Sequence, residues 1–183
     1  MTLLILGIIL WWGGHLWRRF LPGLAASLGK AGYPISAVLI LGSVVLIILG
    51  YRSAPFIEVW TPAPWLTHAN NLLMLVAFYT YFATATRPGV AFVVGRLKHP
   101  QLTGFKIWAI AHLLVNGDLA AVLLFGSMLA WAVVEVILIN RMGGNLSRDA
   151  APIKSPWVHL ALVLAVFTLV AGVHAWLGVY PFG

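Results

Sequence analysis

Imidazole is the side chain that most readily ligates a metal or moves a proton near neutral pH. This chain carries six of them, at His15, His68, His99, His112, His159 and His174, most within or beside long apolar stretches. An ionisable group inside a spanning helix costs roughly 2.5–3.5 kcal/mol on insertion scales, so each one, with Glu135, is a candidate for function. His112 lies between Ala111 and Leu113, about 9 Å of helical rise beyond Lys106. With no acidic neighbour within one turn, it reads as an axial metal or haem ligand, or as a hydrogen-bonding residue facing another helix. His15 follows Gly13-Gly14, which would let a planar group or a neighbouring backbone come close. By itself it reads equally as an interfacial histidine. His99 stands beside Lys98 at an expected helix N-cap, where free backbone N–H groups favour an anionic headgroup, a phosphate or a carboxylate. A capping or headgroup-binding role there is favoured over a ligand role. His68, followed by Asn70 and Asn71, belongs to a polar interhelical network or to a site. His159 and His174 share one helix at a separation of about 22 Å, so they cannot hold one ion together. Glu135 is too far from Arg141 for a same-face pair, and is protonated or paired with a cation from another helix.

The nucleophile patterns are missing. Four scattered carboxylates, no G-x-S-x-G and no Gly-rich phosphate loop leave little for hydrolase chemistry. With no cysteine, disulfides, thiolate catalysis and Cys-ligated metals are excluded. Histidines on different helices of an apolar bundle suit a bound haem better, with neutral imidazoles as axial ligands.

The elements that must position these rings follow from composition. Of 183 residues, 62% are hydrophobic and 8% charged, with mean hydropathy +0.98, far outside the range of soluble domains. A spanning window of about 20 residues divides the chain into six apolar segments. They run Thr2–Trp17, Pro34–Tyr51, Trp65–Thr86, Gly104–Val115, Leu119–Asn140 and Trp157–Val179. The fourth is short, and could begin at Pro100, a good first helical residue. The fold class expected is an all-α integral membrane bundle of six transmembrane helices, forming a single domain over residues 1–183. The N-terminus lacks a basic stretch and a cleavage site, so Met1–Trp17 reads as a retained helix and not a signal peptide. Asn116-Gly117-Asp118 is turn chemistry and predicts a tight antiparallel hairpin of the fourth and fifth segments.

Ten of the eleven basic residues fall on one side, in the loops after the first, third and fifth segments and at Lys106; only Arg52 lies opposite. By the positive-inside rule that side is cytoplasmic, and both termini face the non-cytoplasmic side. The net charge of +7 thus reflects topology and attraction to anionic headgroups; nucleic acid is not an expected partner. Tryptophans near the segment ends (Trp11, Trp12, Trp17, Trp60, Trp65, Trp157, Trp176) fit interfacial anchors.

The stretch "RLKHPQLTGFKIWAIAHLLVNGD" from Arg96 to Asp118, followed by "LLFGSMLAWAV", resembles the NnrU family of small bacterial membrane proteins, to which the plastid zeta-carotene isomerase is related. The likeness is sharpest at His99-Pro100, Gly104, Trp108, Ala111-His112 and Asn116-Gly117. It extends more loosely to "GGHLW" at Gly13–Trp17 and "THANNLLMLVAF" at Thr67–Phe78. The resemblance implies six helices in the bacterial cytoplasmic membrane and haem b held by His15 and His112; His99 and His68 remain further cofactor-site candidates on the chemistry of their own surroundings. It also implies one of two roles: a haem-dependent cis–trans isomerase-like activity on a hydrophobic small molecule, or a task linked to nitrite and nitric oxide reductase, alongside respiratory membrane proteins. The sequence looks closer to the second branch. In the isomerase a cysteine precedes the second histidine by three residues; here Ala109 stands in its place, which excludes a thiol-dependent ligand exchange. Axial nitrogens must lie at one depth, whereas the charge markers put His15 nearer the cytoplasmic surface than His112. A tilted first helix, or one continuing through Phe20, reconciles the two; otherwise His68 or His174 replaces one member.

Two other readings compete. Lys98-His99-Pro100 with Gly104 also resembles the cofactor end of isoprenylcysteine-type membrane methyltransferases, which bind S-adenosylmethionine, although Arg148-Asp149 is too little to complete their second motif. The other is a non-enzymatic accessory subunit of a respiratory complex, with the histidines as interhelical glue.

Overall fold

The computed structural model describes residues 1–86, 97–143 and 155–182, without the side chains of 84–86. The basic residues Arg87, Arg96, Arg148 and Lys154, with Asp149, lie outside the described residues. Every regular element described is helical. They are α1 (Thr2–Phe20), α2 (Pro22–Leu28), a 3-10 turn (Gly29–Ala31), α3 (Gly32–Arg52), α4 (Leu66–Thr86), α5 (Pro100–Val115), α6 (Leu119–Arg141) and α7 (Pro156–Trp176).

Among the described residues three stretches are long and apolar enough to cross a membrane, Pro22–Arg52, Leu119–Arg141 and Pro156–Trp176, with mean hydropathy between 2.2 and 2.4. Large apolar side chains point outward along them, as at Val38, Leu41, Ile137 and Leu169. A soluble protein does not leave such continuous apolar faces uncovered; lipid covers them at no cost. α5, with 16 residues, is about 24 Å long, shorter than a hydrocarbon core of about 30 Å.

The chain separates into two compact units, one of Met1–Trp60 with Asp118–Ser127 and one of Thr61–Gly117 with Met128–Gly183. In the first, α1 and α3 run antiparallel at backbone contact. A Cβ added to Gly7 would lie 2.8 Å from the Ile47 nitrogen, one at Gly14 3.0 Å from Ile40 Cγ1, and one at Gly50 would collide with the backbone of Leu4. Small residues at such crossings are how helices gain packing where no hydrophobic force drives association. The Trp17 indole donates to Ser36 Oγ at 2.8 Å, and the Arg18 guanidinium lies 4.1 Å over the Tyr33 ring. Trp12 donates to Ser127 Oγ at 3.2 Å, joining α1 to the start of α6. Asp118 caps α6 by accepting from the Ala121 N–H at 3.0 Å.

In the second unit α4 packs chiefly on α5 and also on α7. Gly104 backs onto Ala77 and Tyr81 of α4, and Leu97 joins Ala83 and Tyr79, so α5 runs antiparallel to α4. His159 near the start of α7 meets Tyr79, and Asn71 donates to the Pro181 carbonyl just beyond the end of α7. α7 is therefore also antiparallel to α4. Phe105 lies edge-on to Trp131 at 5.2 Å, and His99 bonds Asn140, giving the antiparallel pairing of α5 with the later part of α6 that the Asn-Gly-Asp turn predicts.

Several boundaries differ from those read in the sequence. α1 continues through Phe20, so Arg18 and Arg19 sit in its last turn, where cations complement the carbonyl end of the helix dipole. The connection expected before the second span is itself helical as α2, opened by Pro22 at its first position. α5 begins at Pro100 and not Gly104. α7 ends at Trp176, short of Val179, where Gly178 takes φ +85.

Candidate functional site

Three histidines share one local device. His15 Nδ1 donates to the Trp11 carbonyl at 2.8 Å, His112 Nδ1 to the Trp108 carbonyl at 2.9 Å, and His174 Nδ1 to the Val170 carbonyl at 2.8 Å. Each acceptor is the residue one turn earlier on the same helix. A carbonyl oxygen only accepts, so in the neutral ring the proton sits on Nδ1 and the lone pair on Nε2. That is the tautomer metal-bound histidines adopt, with the second nitrogen oriented and made more basic by a backbone carbonyl.

His112 is half-buried, three residues before the end of α5 at Val115. Its ring is tilted against the Trp108 indole at 5.2 Å, and its carbonyl receives the Asn116 side-chain amide at 2.8 Å, which closes the helix end. Beside it, between α4 and α5, lies an apolar cavity of about 250 Å³ lined by Ala77, Phe78, Tyr81, Phe82, Gly104, Phe105 and Trp108. The missing side chain at Gly104 lets the two backbones approach, so that five aromatic rings wall one groove.

His15, in the other unit, is half-buried, with its ring 4.3 Å from that of Trp11. The two glycines before it divide the tasks expected of them. Gly14 packs on Leu39 and Ile40 of α3, while a Cβ on Gly13 would meet nothing within 4 Å.

His99 differs. It is the N-cap residue of α5 but makes no side-chain cap hydrogen bond, which corrects the capping role expected of it. Its ring is 5% exposed, and Nε2 donates to Asn140 Oδ1 at 2.8 Å, tying the start of α5 to the end of α6. The nitrogen that would face a ligand is thereby committed to another helix, and Nδ1 is buried without a hydrogen-bond partner. His159 is fully buried, with Nε2 donating to the Tyr79 carbonyl at 3.0 Å and the two rings edge-to-face at 4.5 Å. It is a clamp between α7 and α4. His68 is exposed on the first turn of α4, while Asn70 is buried and Asn71 holds the chain end. Glu135 is buried in α6.

Among the described residues no three His, Cys, Asp or Glu side chains gather closely enough to hold a bare metal ion. Sequence reasoning missed one feature: Asn70 Oδ1 is buried with no hydrogen-bond partner.

A family model described as NnrU protein matches residues 3–181, nearly the whole chain. The chain belongs to the NnrU family. No curated protein and no solved structure matches it. The match spans both units of this NnrU chain, so α1 with His15 and α5 with His112 both lie inside the family's extent. At Lys98-His99-Pro100, the stretch that carries the methyltransferase likeness, the NnrU chain turns the His99 ring onto Asn140.

Proposed function

We propose that this NnrU chain is a haem b protein of the bacterial cytoplasmic membrane, spanning it six times with both termini on the non-cytoplasmic face, and that its role is redox. The single observation that supports the haem is the Nδ1 hydrogen bond of His112 to the Trp108 carbonyl, which puts the proton on Nδ1 and makes Nε2 the acceptor nitrogen, the tautomer a metal-ligating histidine takes. The orientation rests on the basic residues, ten of eleven on one side. Bound haem b would supply one-electron chemistry at its iron.

The residues of the chain supply the rest. His112 would hold the iron, with the Trp108 carbonyl fixing its ring plane and raising its basicity. Trp108, Phe105 and the α4 aromatics keep water from the neighbouring cavity and give an apolar small molecule a surface to lie on. Ala109 leaves no thiol to compete for the iron. The family resemblance adds His15 as the second imidazole and offers two tasks, a step tied to nitrite or nitric oxide reduction and an isomerase-like reaction at a double bond. Absence of cysteine favours the first over a thiol-switched isomerase.

The test is the optical spectrum of the detergent-extracted protein, with haem quantified as its pyridine complex. A Soret band at about one haem per chain, lost in His112→Ala, is expected. A colourless protein that takes up no added haem would refute the reading.

A further inference from the structure

At one end of the first unit a guanidinium has a built seat. Arg18 lies in the last turn of α1, and its side chain crosses to the start of α3. Its guanidinium carbon sits 4.1 Å over the Tyr33 ring and 5.7 Å over the Trp17 ring. The floor of the seat is Gly32, where a Cβ would collide with Arg18 Nη1 and come within 3.3 Å of Trp17 Cη2. Trp17 is itself fixed by its hydrogen bond to Ser36. Two aromatic rings and a bare backbone thus hold the group in place, a stacking that suits the planar Arg head better than a Lys ammonium. Yet Nη1 is buried and, among the described residues, has no hydrogen-bond acceptor. Leaving a buried N–H of a charged group without an acceptor is costly, so this one marks where an acceptor is received.

No described residue of this unit supplies a negative charge there. Its two acidic residues, Glu58 and Asp118, are bridged to each other beyond the opposite end of α3. The near end carries Arg18, Arg19 and Lys30. α3 has 21 residues and is about 32 Å long, close to the thickness of a hydrocarbon core. Gly32, at its start, therefore lies at the level of the headgroups. Phe20, Leu21, Leu24 and Ile35, near the seat in sequence, are exposed, which suits acyl chains and not a freely dissolved anion. The guanidinium fork matches two oxygens of one phosphate.

We propose that Arg18, seated on Gly32 between Trp17 and Tyr33, binds the phosphodiester of one anionic phospholipid. Arg19 and Lys30 add charge, and exposed side chains such as Leu24 take its acyl chains. The site belongs to the first unit alone and needs no haem.

Native mass spectrometry of the full-length protein, released from detergent micelles supplied with phosphatidylglycerol or phosphatidylcholine, counts the lipids retained. The wild type should keep one phosphatidylglycerol, held about tenfold more tightly than phosphatidylcholine. Gly32→Ala leaves every charge in place but fills the seat, and should weaken that retention about tenfold, as should Arg18→Ala. Arg52→Ala removes one charge at the far end of α3, beyond the reach of screened electrostatics, and should change it less than about twofold. Arg18→Lys keeps the charge without the planar fork and covers the case in which the other variants do not fold; it should also lose the tight adduct. Retention in Gly32→Ala, Arg18→Ala or Arg18→Lys equal to that of the wild type would overturn the proposal. So would an equal loss in Arg18→Ala and Arg52→Ala, because net charge alone would then explain the binding. Displacement of the lipid by excess inorganic phosphate would overturn it as well, by showing a site for a free anion.

Discussion

Replacing Gly104 with alanine tests whether α5 is seated on α4 as described, and hence whether His112 is held where it is. The added Cβ would lie 2.6 Å from the Ala77 carbonyl oxygen, 2.8 Å from the Tyr81 nitrogen and 2.9 Å from Tyr81 Cβ, against 3.4 Å for ordinary contact. Two of these three atoms are backbone in a neighbouring helix and cannot swing aside. α5 must lift by roughly 0.8 Å, and a gap of that size forfeits about a quarter to a half of the dispersion energy at the seam. Overpacking of this kind costs about 1–3 kcal/mol, while the better helix propensity of alanine returns at most about 1 kcal/mol. A net loss of about 1–2 kcal/mol is expected. Gly172→Ala on α7 is the matched control, since its Cβ would meet nothing within 4 Å; it should be neutral or stabilising by up to about 1 kcal/mol. Reversible unfolding by a denaturing detergent in bicelles, followed by circular dichroism, measures both. If the two variants are equally stable, or Gly104→Ala is the more stable, the close α4–α5 contact is wrong.

Other expectations follow from single contacts. Gly50→Leu should destabilise more than Gly7→Ala, because its side chain meets the Leu4 backbone head-on; the same unfolding assay ranks them. His159→Ala removes a fully buried ring, its bond to the Tyr79 carbonyl and an edge-to-face contact, and should cost about 2–4 kcal/mol without changing any haem signal. His99→Ala and Asn140→Ala each break the same link and should each cost about 1–3 kcal/mol. The double variant should be little worse than either, a coupling that a double-mutant cycle reads directly. Trp17→Phe loses the donation to Ser36 while keeping an aromatic ring near Arg18, and should cost about 0.5–1.5 kcal/mol.

Composition alone made the helical, lipid-facing character legible, because outward apolar residues such as Leu41 and Leu169 have no other solvent. The Asn116-Gly117-Asp118 turn was equally plain, being local backbone chemistry, whereas Pro100 was only an alternative start for a segment read from Gly104. Helix ends were less so: Arg18 and Arg19 look like loop residues by charge, but the carbonyl end of α1 accommodates them. Histidine roles were the least legible. His99, His159 and His112 look alike in an apolar stretch, and only the hydrogen-bond partner of each ring separates a tie to Asn140, a clamp on Tyr79 and a bond back to the His112 ring's own helix at Trp108.

The central claim is that His112 offers Nε2 to an iron because its Nδ1 proton is held by Trp108. Nitrogen NMR of the histidine-labelled protein, with His112 assigned through His112→Gln, measures that tautomer directly. The account predicts a protonated Nδ1 and an unprotonated Nε2 in the haem-free protein, with the Nε2 signal shifted or broadened beyond detection once haem is added. A proton found on Nε2, or a His112 signal indifferent to haem, would contradict it.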